Sequence, residues 1–502
     1  MRSILSRRDL LKAGAVLAGA SALAACGATP APAATTAPTQ APAATSAPAA
    51  TTAPTSAPAA TTAPTSAPAA TTAPEATVAA TSAPAAAGGK AITLRYRSWH
   101  SPEGAPRDKA WYDWLTENYP KDHPNVTIAY EFVPWGNDYI QKVLADSAAG
   151  TPPELLHSSI VWARDFYDRG VLMDLNDYID KVPELAEDQF LGAATTQYRS
   201  KAGKFYGVPW EGPDSSCIAI NSKLFKDAGF DPKGADIKTW ADFDKVAKAL
   251  TKGSGADMTQ AGFLVDSMRY IEGFATWLYS DGGACSDPEF TKPTFNDSKG
   301  AEVVQHNLDL LNKDQVSFPI SPERQDSQLF MQGKVGMVYW GTWAPAEIEG
   351  NAPEGFEWWL IPVPQGPQGS GPATTCWSNM FVMPKKGKEH DATFELMRYC
   401  TTPPVVITRF ELSTRTTPHK AIFESDAWKK VLEKTPQRVV TPDFAKLGGI
   451  YPFFPFFTEA NDALGTVLEQ IMGGQKGVKD GLAEAETKVA DVMTRRKSAA
   501  TG

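Results

Sequence analysis

None of the short spacings that mark common catalytic or cofactor sites occurs in this chain of 502 residues. There is no HExxH, no GxGxxG following a strand pattern, no GxxxxGK with Ser or Thr after it, and no GxSxG. The histidines, at His100, His123, His157, His306, His390 and His419, form no cluster with metal-ligand spacing. No catalytic residue, metal or cofactor is therefore expected. The loop Gly366–Gly371 is glycine-rich but full of proline and lacks a lysine, so it is no phosphate cradle. Carboxylates that hydrolyse glycosides need only meet in space, and nothing in the sequence singles out a pair. Cysteine is scarce, with Cys217, Cys285, Cys376 and Cys400 following Cys26 and no CxxC among them. Outside the cytoplasm any two of these could be bridged, whereas Cys400, in FELMRYC, sits on an apolar helix face and reads as a core thiol. No block of Lys and Arg offsets a formal net charge of -9, which argues against nucleic acid or an anionic membrane surface as the main partner.

Val78 is the one large apolar side chain between residues 27 and 89, and the signal-like N-terminus carries an apolar run, Ala13–Ala25, which is too short to remain as a membrane span. With Arg2, Arg7 and Arg8 ahead of it, that run reads as an export signal over residues 1–25. Ser6-Arg7-Arg8-Asp9-Leu10-Leu11-Lys12 resembles the twin-arginine export motif, with Leu10 where Phe is commoner, so a general secretory route stays open. Leu23-Ala24-Ala25-Cys26 resembles a bacterial lipobox, which implies a lipidated Cys26 and anchoring to the outer face of the cell membrane. Residues 26–89 are almost entirely Ala, Thr, Pro and Ser, with TTAPTSAPAA at Thr51 and again at Thr61. Such a segment cannot offset the entropy of ordering, so it reads as a disordered tether with an end-to-end distance of about 45 Å.

From Ala91 strands and helices alternate, as in a sheet covered on both faces. AITLRYRSW, VTIAYEFVPW and ELLHSSIVW read as strands, and DKAWYDWLTENYPKDHP and NDYIQKVLADSAAG as helices. What this part has in quantity is tryptophan: the chain's 14 all lie beyond residue 90. Trp111, Trp114, Trp240, Trp358, Trp359 and Trp428 fall inside element patterns and read as core. Trp99, Trp135, Trp162, Trp277, Trp340 and Trp377 read equally as core or as ligand platforms, because strand ends are where ligands bind in such sheets. Indole faces suit the CH faces of sugar rings, and Asp, Glu and Asn suit their hydroxyl edges.

The segment Lys204–Lys226, KFYGVPWEGPDSSCIAINSKLFK, places Trp210, Glu211 and Asp214 after a stiff Tyr206-Gly207-Val208-Pro209 turn, followed by a short extended run and a helix start. It resembles the first interdomain crossover of the bacterial extracellular solute-binding proteins, family 1, of the maltose-binding type. SKLFKDAGFDPKGADIKTWADFDKVAKALT, LFMQGKVGMVYWGTWAPAEI, WWLIPVPQGPQG and TTCWSNMFVMPKKGKEHDATFELMRYC resemble further family segments in the family's order, and the likeness spans about residues 91–494. It implies a type II periplasmic-binding-protein-like α/β fold with two lobes, each a mixed sheet flanked by helices. The solute-binding domain would run from 90 to 496, with lobe one at about 91–208 and 377–412 and lobe two at about 209–376 and 413–496. Hinges are implied at Val208, Pro209, Ser378 and Ser413. The ligand would meet Trp99, Trp135, Trp162, Trp210, Glu211, Asp214, Trp340, Trp343, Trp377 and Asn379, with Trp343 and Trp210 at family positions near the ligand. The implied function is that of a monomeric, membrane-tethered substrate-binding lipoprotein of an ABC importer, passing a carbohydrate to permease subunits. A polyamine, peptide or glycerol phosphate ligand, or a secreted glycosidase, are the rival readings.

Overall fold

A computed structural model describes residues 90–500 apart from 104–105, 192–202, 270, 321–325, 452–453 and 455. The export signal, Cys26 and the tether lie outside the described residues. Strands β1 (Ile92–Ser98), β2 (Val126–Phe132) and β3 (Leu155–Ser158) alternate with helices α1 (Pro106–Asp122), α2 (Asn137–Ala149) and α3 (Ile160–Asp168). β1 pairs parallel with both β2 and β3. α1 ends before Pro124 and α2 ends at Gly150, whose φ of 77° turns the chain out of the helix. One expectation shifts here: Ile160-Val161-Trp162 opens α3 instead of continuing the strand. Ile160, Val161, Trp162, Ala163 and Phe166 are buried on that helix, so packing outweighs the β preference of the branched pair.

The extended run after the Tyr206–Pro209 turn proves long. β4 (Val208–Asn221) has 14 residues, nearly all buried. β5 (Ala261–Leu264), β6 (Val335–Gly341), β7 (Trp358–Ile361), β8 (Thr374–Val382) and β9 (Gly448–Ile450) complete a sheet of order β2-β1-β3-β8-β4-β6-β5, with β7 on β4 and β9 on β8. β4 and β8 are the strands common to both halves. Residues 208–215 of β4 run antiparallel to 381–376 of β8, whose far end pairs with β3, whereas residues 216–221 of β4 pair with β6 and β7. The register slips by one residue between Pro209 and Glu211 and again between Glu211 and Asp214. Gly212 sits in the second bulge at φ 122°, where an added Cβ would stand 2.9 Å from Ser378 Oγ, so only glycine suits the position.

Helices α4 (Trp240–Leu250), α5 (Ile271–Ser280), α6 (Ala344–Asn351), α7 (Pro403–Ser413) and α8 (Phe457–Met472) belong to the layers that cover the sheet. α4 starts with a capping box, Asp242 N–H donating to Thr239 Oγ1 at 3.3 Å and Thr239 N–H to Asp242 Oδ2 at 3.0 Å. Trp111, Trp240, Trp277, Trp358 and Trp428 are buried, while Trp114 and Trp359 are half-buried against the core. Cys217, Cys285 and Cys400 are free buried thiols, which settles Cys400 as a core residue, and Cys376 is buried as well.

Trp210 is where strand junction and helical cover meet. Only 1% of it is exposed; its ring stacks on Phe381 at 4.2 Å and carries the Arg409 guanidinium at 4.0 Å over the indole. Both faces are occupied, so this Trp packs the junction and offers no platform. Trp340, 7% exposed, is likewise packed against Phe330 in the core of the other half. Trp210→Ala should lower the free energy of unfolding by about 3–5 kcal/mol, read from chemical denaturation; a midpoint close to wild type would contradict its place as a core residue.

Candidate functional site

Register places four polar or aromatic side chains on one face of the crossing strands. Glu211 faces Asn379 and Asp214 faces Trp377, and directly opposed residues of an antiparallel pair share a face, as do residues two apart. The second bulge in β4 brings Glu211 and Asp214 to the same side although three positions separate them. Asn379 Oδ1 is buried without a hydrogen-bond partner. This face forms the floor of the candidate site.

One wall stands at the C-terminal ends of the parallel strands. Trp99 and His100 follow β1, Trp135 follows β2, and Trp162 lies in the first turn of α3 after β3. Trp99 meets Trp135 edge-on at 4.9 Å and Trp162 at 5.6 Å, and Trp135 lies 4.0 Å from Trp162. Trp162 is buried beneath, stacked on Tyr139. Trp135 is 56% exposed, a large apolar surface left open to solvent. The opposite wall carries Trp343 directly after β6, with its ring 5.3 Å from Trp377, which in turn lies 5.0 Å from Tyr451. A Cβ on Gly341 would fall 1.8 Å from the Trp343 ring, so that glycine is what lets the indole lie against the strand backbone. At the rim, Arg107 of α1 donates to the carbonyl of Ala346 in α6 at 3.2 Å, joining the two walls.

Charge is concentrated where the floor meets the first wall. Glu211 Oε2 accepts from Arg409 Nη2 at 2.6 Å, and Oε1 from His100 Nε2 at 3.1 Å and Arg415 Nη1 at 3.4 Å. Arg415 also holds Asp108 of α1 through Nε at 2.6 Å and Nη2 at 2.9 Å. Burial raises the Glu211 carboxyl, but His100, Arg415 and Arg409 outweigh it and hold the group well below the usual carboxylate range. Asp108 is lowered too, Arg415 overcoming its burial. Burial lowers His100 despite Glu211, so the imidazole is neutral near pH 7 and donates through Nε2. Asp214 goes the other way: burial, then repulsion from Glu211, push it to about 7, with Arg415 and Arg409 too weak to compensate. Neighbouring floor carboxyls thus differ in protonation at neutral pH.

Of the residues expected to meet a ligand, Trp99, Trp135, Trp162, Glu211, Asp214, Trp343, Trp377 and Asn379 fall along one connected path, and Trp210 and Trp340 face the interior. Val208 and Pro209 pair with Phe381 and Met380, Ser378 lies under Gly212, and Ser413 ends α7 just before Thr414 at φ 55°. The sequence reading missed Tyr451, His100, Asp108, Arg409 and Arg415. Tyr451 had a signal in the aromatic run YPFFPFF. The other four carried none, since their partners lie up to 307 positions away. Sequence spacing shows no metal-ligand cluster, and in the fold His100, His157 and Glu211 bring their ligand atoms within 4.8 Å of one another. They come from three separate strand segments, so no local spacing announces them.

Residues 101–407 match the family of the bacterial extracellular solute-binding proteins. A Brucella abortus (strain 2308) relative is 26% identical over 267 residues, 52% of this chain and 61% of its own length. An uncharacterized lipoprotein of Streptomyces antibioticus is 26% identical over 286 residues, 55% of this chain and 60% of its own. The chain thus spans about 60% of the curated relatives it matches. Among solved structures, the cyclic alpha-maltosyl-1,6-maltose binding protein of Arthrobacter globiformis aligns with a TM-score of 0.67 at 21% identity, over 81% of this chain and all of that one. The GacH receptor of Streptomyces glaucescens, solved unliganded and with acarbose, aligns with a TM-score of 0.67 at 19% identity, over 81% of this chain and 99% of its own. The fold is therefore the two-lobed one of periplasmic solute-binding proteins, and the chain belongs to the bacterial extracellular solute-binding proteins.

Proposed function

We propose that this protein captures a carbohydrate between two lobes and hands it to the permease subunits of an ABC importer, working as a monomer tethered outside the cell membrane through lipidated Cys26. The observation that carries the reading is the aromatic wall ending in the exposed Trp135, set beside a floor whose Asn379 Oδ1 lacks a partner. Rings that cover CH faces and unpaired polar groups that reach hydroxyls are what a sugar requires. The sugar ligands named for the two structural neighbours support it. Lobe one would comprise about 91–208 and 377–412, lobe two about 209–376 and 413–496, closing about Val208, Pro209, Ser378 and Ser413. The charge balance disfavours a polyamine, because Glu211 and Asp108 are already matched by Arg409 and Arg415. A binder and not a glycosidase is supported by the family and by Glu211, whose oxygens are committed to guanidiniums and an imidazole.

A thermal-shift screen against mono- and oligosaccharides should find a sugar that raises the melting temperature, since a ligand that binds only the folded state stabilises it. Calorimetry with that sugar should then show Trp135→Ala and Trp343→Ala each losing about 2 kcal/mol or more of binding, roughly thirty-fold in Kd. The exposed Trp135 should be lost without change in denaturation midpoint; full affinity in both variants would exclude these rings as platforms.

The raised carboxyl of Asp214 has a stability signature. Its folded pKa of about 7 lies above the ordinary value near 3.9, so its contribution is present at low pH and is lost as pH rises through 7. Asp214→Asn should gain stability over wild type between about pH 4 and pH 7 and keep a constant advantage above. Parallel denaturation curves at pH 5 and pH 8 test this, and a gap that narrows with pH would refute it. For the anchor, Cys26→Ala should move the full chain from the membrane fraction to the soluble fraction of its host, and an unchanged distribution would rule out the lipid.

A further inference from the structure

The corner where residues from β1, β3 and β4 converge around β8 holds groups that a sugar does not need. His157 in β3 is 0% exposed, stacked under Trp99 at 3.8 Å, with Nδ1 fixed on Ser98 Oγ at 3.2 Å. The same Ser98 Oγ accepts the backbone N–H of His100 at 3.2 Å, so one hydroxyl orients both histidine residues. His157 Nε2 has no hydrogen-bond partner although fully enclosed, and leaving such an atom unmet is costly. The His100 ring stands 5.2 Å from the His157 ring, and its Nε2 is already on Glu211 Oε1.

We propose that His100, His157 and Glu211 form a binding site for one divalent transition-metal ion of the zinc class at the inner end of the cleft. The donor set is two imidazoles and one carboxylate, which suits zinc, cobalt or nickel and not the all-oxygen preference of calcium or magnesium. His100 Nε2 and Glu211 Oε1 are 3.1 Å apart, close to the roughly 3.3 Å that two ligands keep on a tetrahedral zinc. From separations of up to 4.8 Å, the ion requires His157 to close by up to about 1.5 Å and His100 to shift its proton to Nδ1. Ser98 then acts as the outer hydrogen bond that metal-bound histidines commonly have. Arg409 keeps Oε2 throughout, and Oε1 turns to the ion by giving up its 3.4 Å contact with Arg415 Nη1. The charges of Arg409 and Arg415 reduce affinity, which places the site among moderate binders and not among permanent structural zincs.

The test uses untagged protein stripped with chelator and then titrated with zinc chloride by calorimetry, with cobalt absorption as the reporter of geometry. Expected are one ion per chain, a zinc-dependent rise in melting temperature, no response to magnesium or calcium, and a tetrahedral cobalt spectrum. His100→Gln, at a half-buried position, should weaken zinc at least tenfold while urea denaturation shows it folded; His157→Gln should do the same if it folds. Absence of zinc binding to the wild-type protein overturns the proposal. So does equal zinc affinity in His100→Gln, which would place the ion at another histidine. Sugar affinity is read separately, so loss of the carbohydrate reading leaves this result standing.

Discussion

Glu211 is a carboxylate buried at the one place where both halves of the sheet share strands, and the arrangement around it follows from keeping it charged. Burying an isolated charge costs several kcal/mol. Here the compensation comes from Arg409 within α7, Arg415 just beyond that helix, and His100 beyond β1. Three segments distant in sequence must dock correctly before the charge is satisfied. A buried pair adds little net stability over an apolar substitute but penalises the wrong arrangement, since a broken pair costs about 3–5 kcal/mol. Trp210, with Arg409 over its ring, ties the same cluster into the apolar core.

From that cluster the character of the floor follows. Glu211 takes the available positive charge, and Asp214, on the same face, is left with burial and repulsion. A protonated carboxyl can donate as well as accept, whereas an ionised one only accepts. Asn379 adds an amide opposite Glu211. The floor thus offers mixed hydrogen-bonding capacity without a strong net field, and the aromatic walls supply the apolar contact.

Local pattern revealed much of the architecture. β1, α1, β2 and α2 were legible because alternation, helical period and terminating Pro or Gly agree there. β4 was read too short because a strand buried on both faces loses its alternation. Sequence could not sort the tryptophans. Trp210 and Trp135 both follow a proline near a strand boundary, yet one is enclosed by Phe381 and Arg409 and the other is open to solvent. Glu211 and Asp214 were found together, but their opposite pKa shifts depend on Arg409 and Arg415, about two hundred positions later. His157 was passed over for the same reason: its meaning lies in Ser98 and Trp99, on another strand segment.

Gly341 sets the depth of the second wall. The Trp343 indole occupies the volume where a side chain at 341 would begin, so its distance from the opposing wall is fixed by a missing methyl group. Any larger residue there would lift the ring off the strand and narrow the gap, with no contact between position 341 and the ligand. On the carbohydrate reading, gap width decides whether a single sugar ring or a bulkier oligosaccharide fits. Ligand size would then be adjustable from behind the wall, by a residue that no survey of ligand contacts would include.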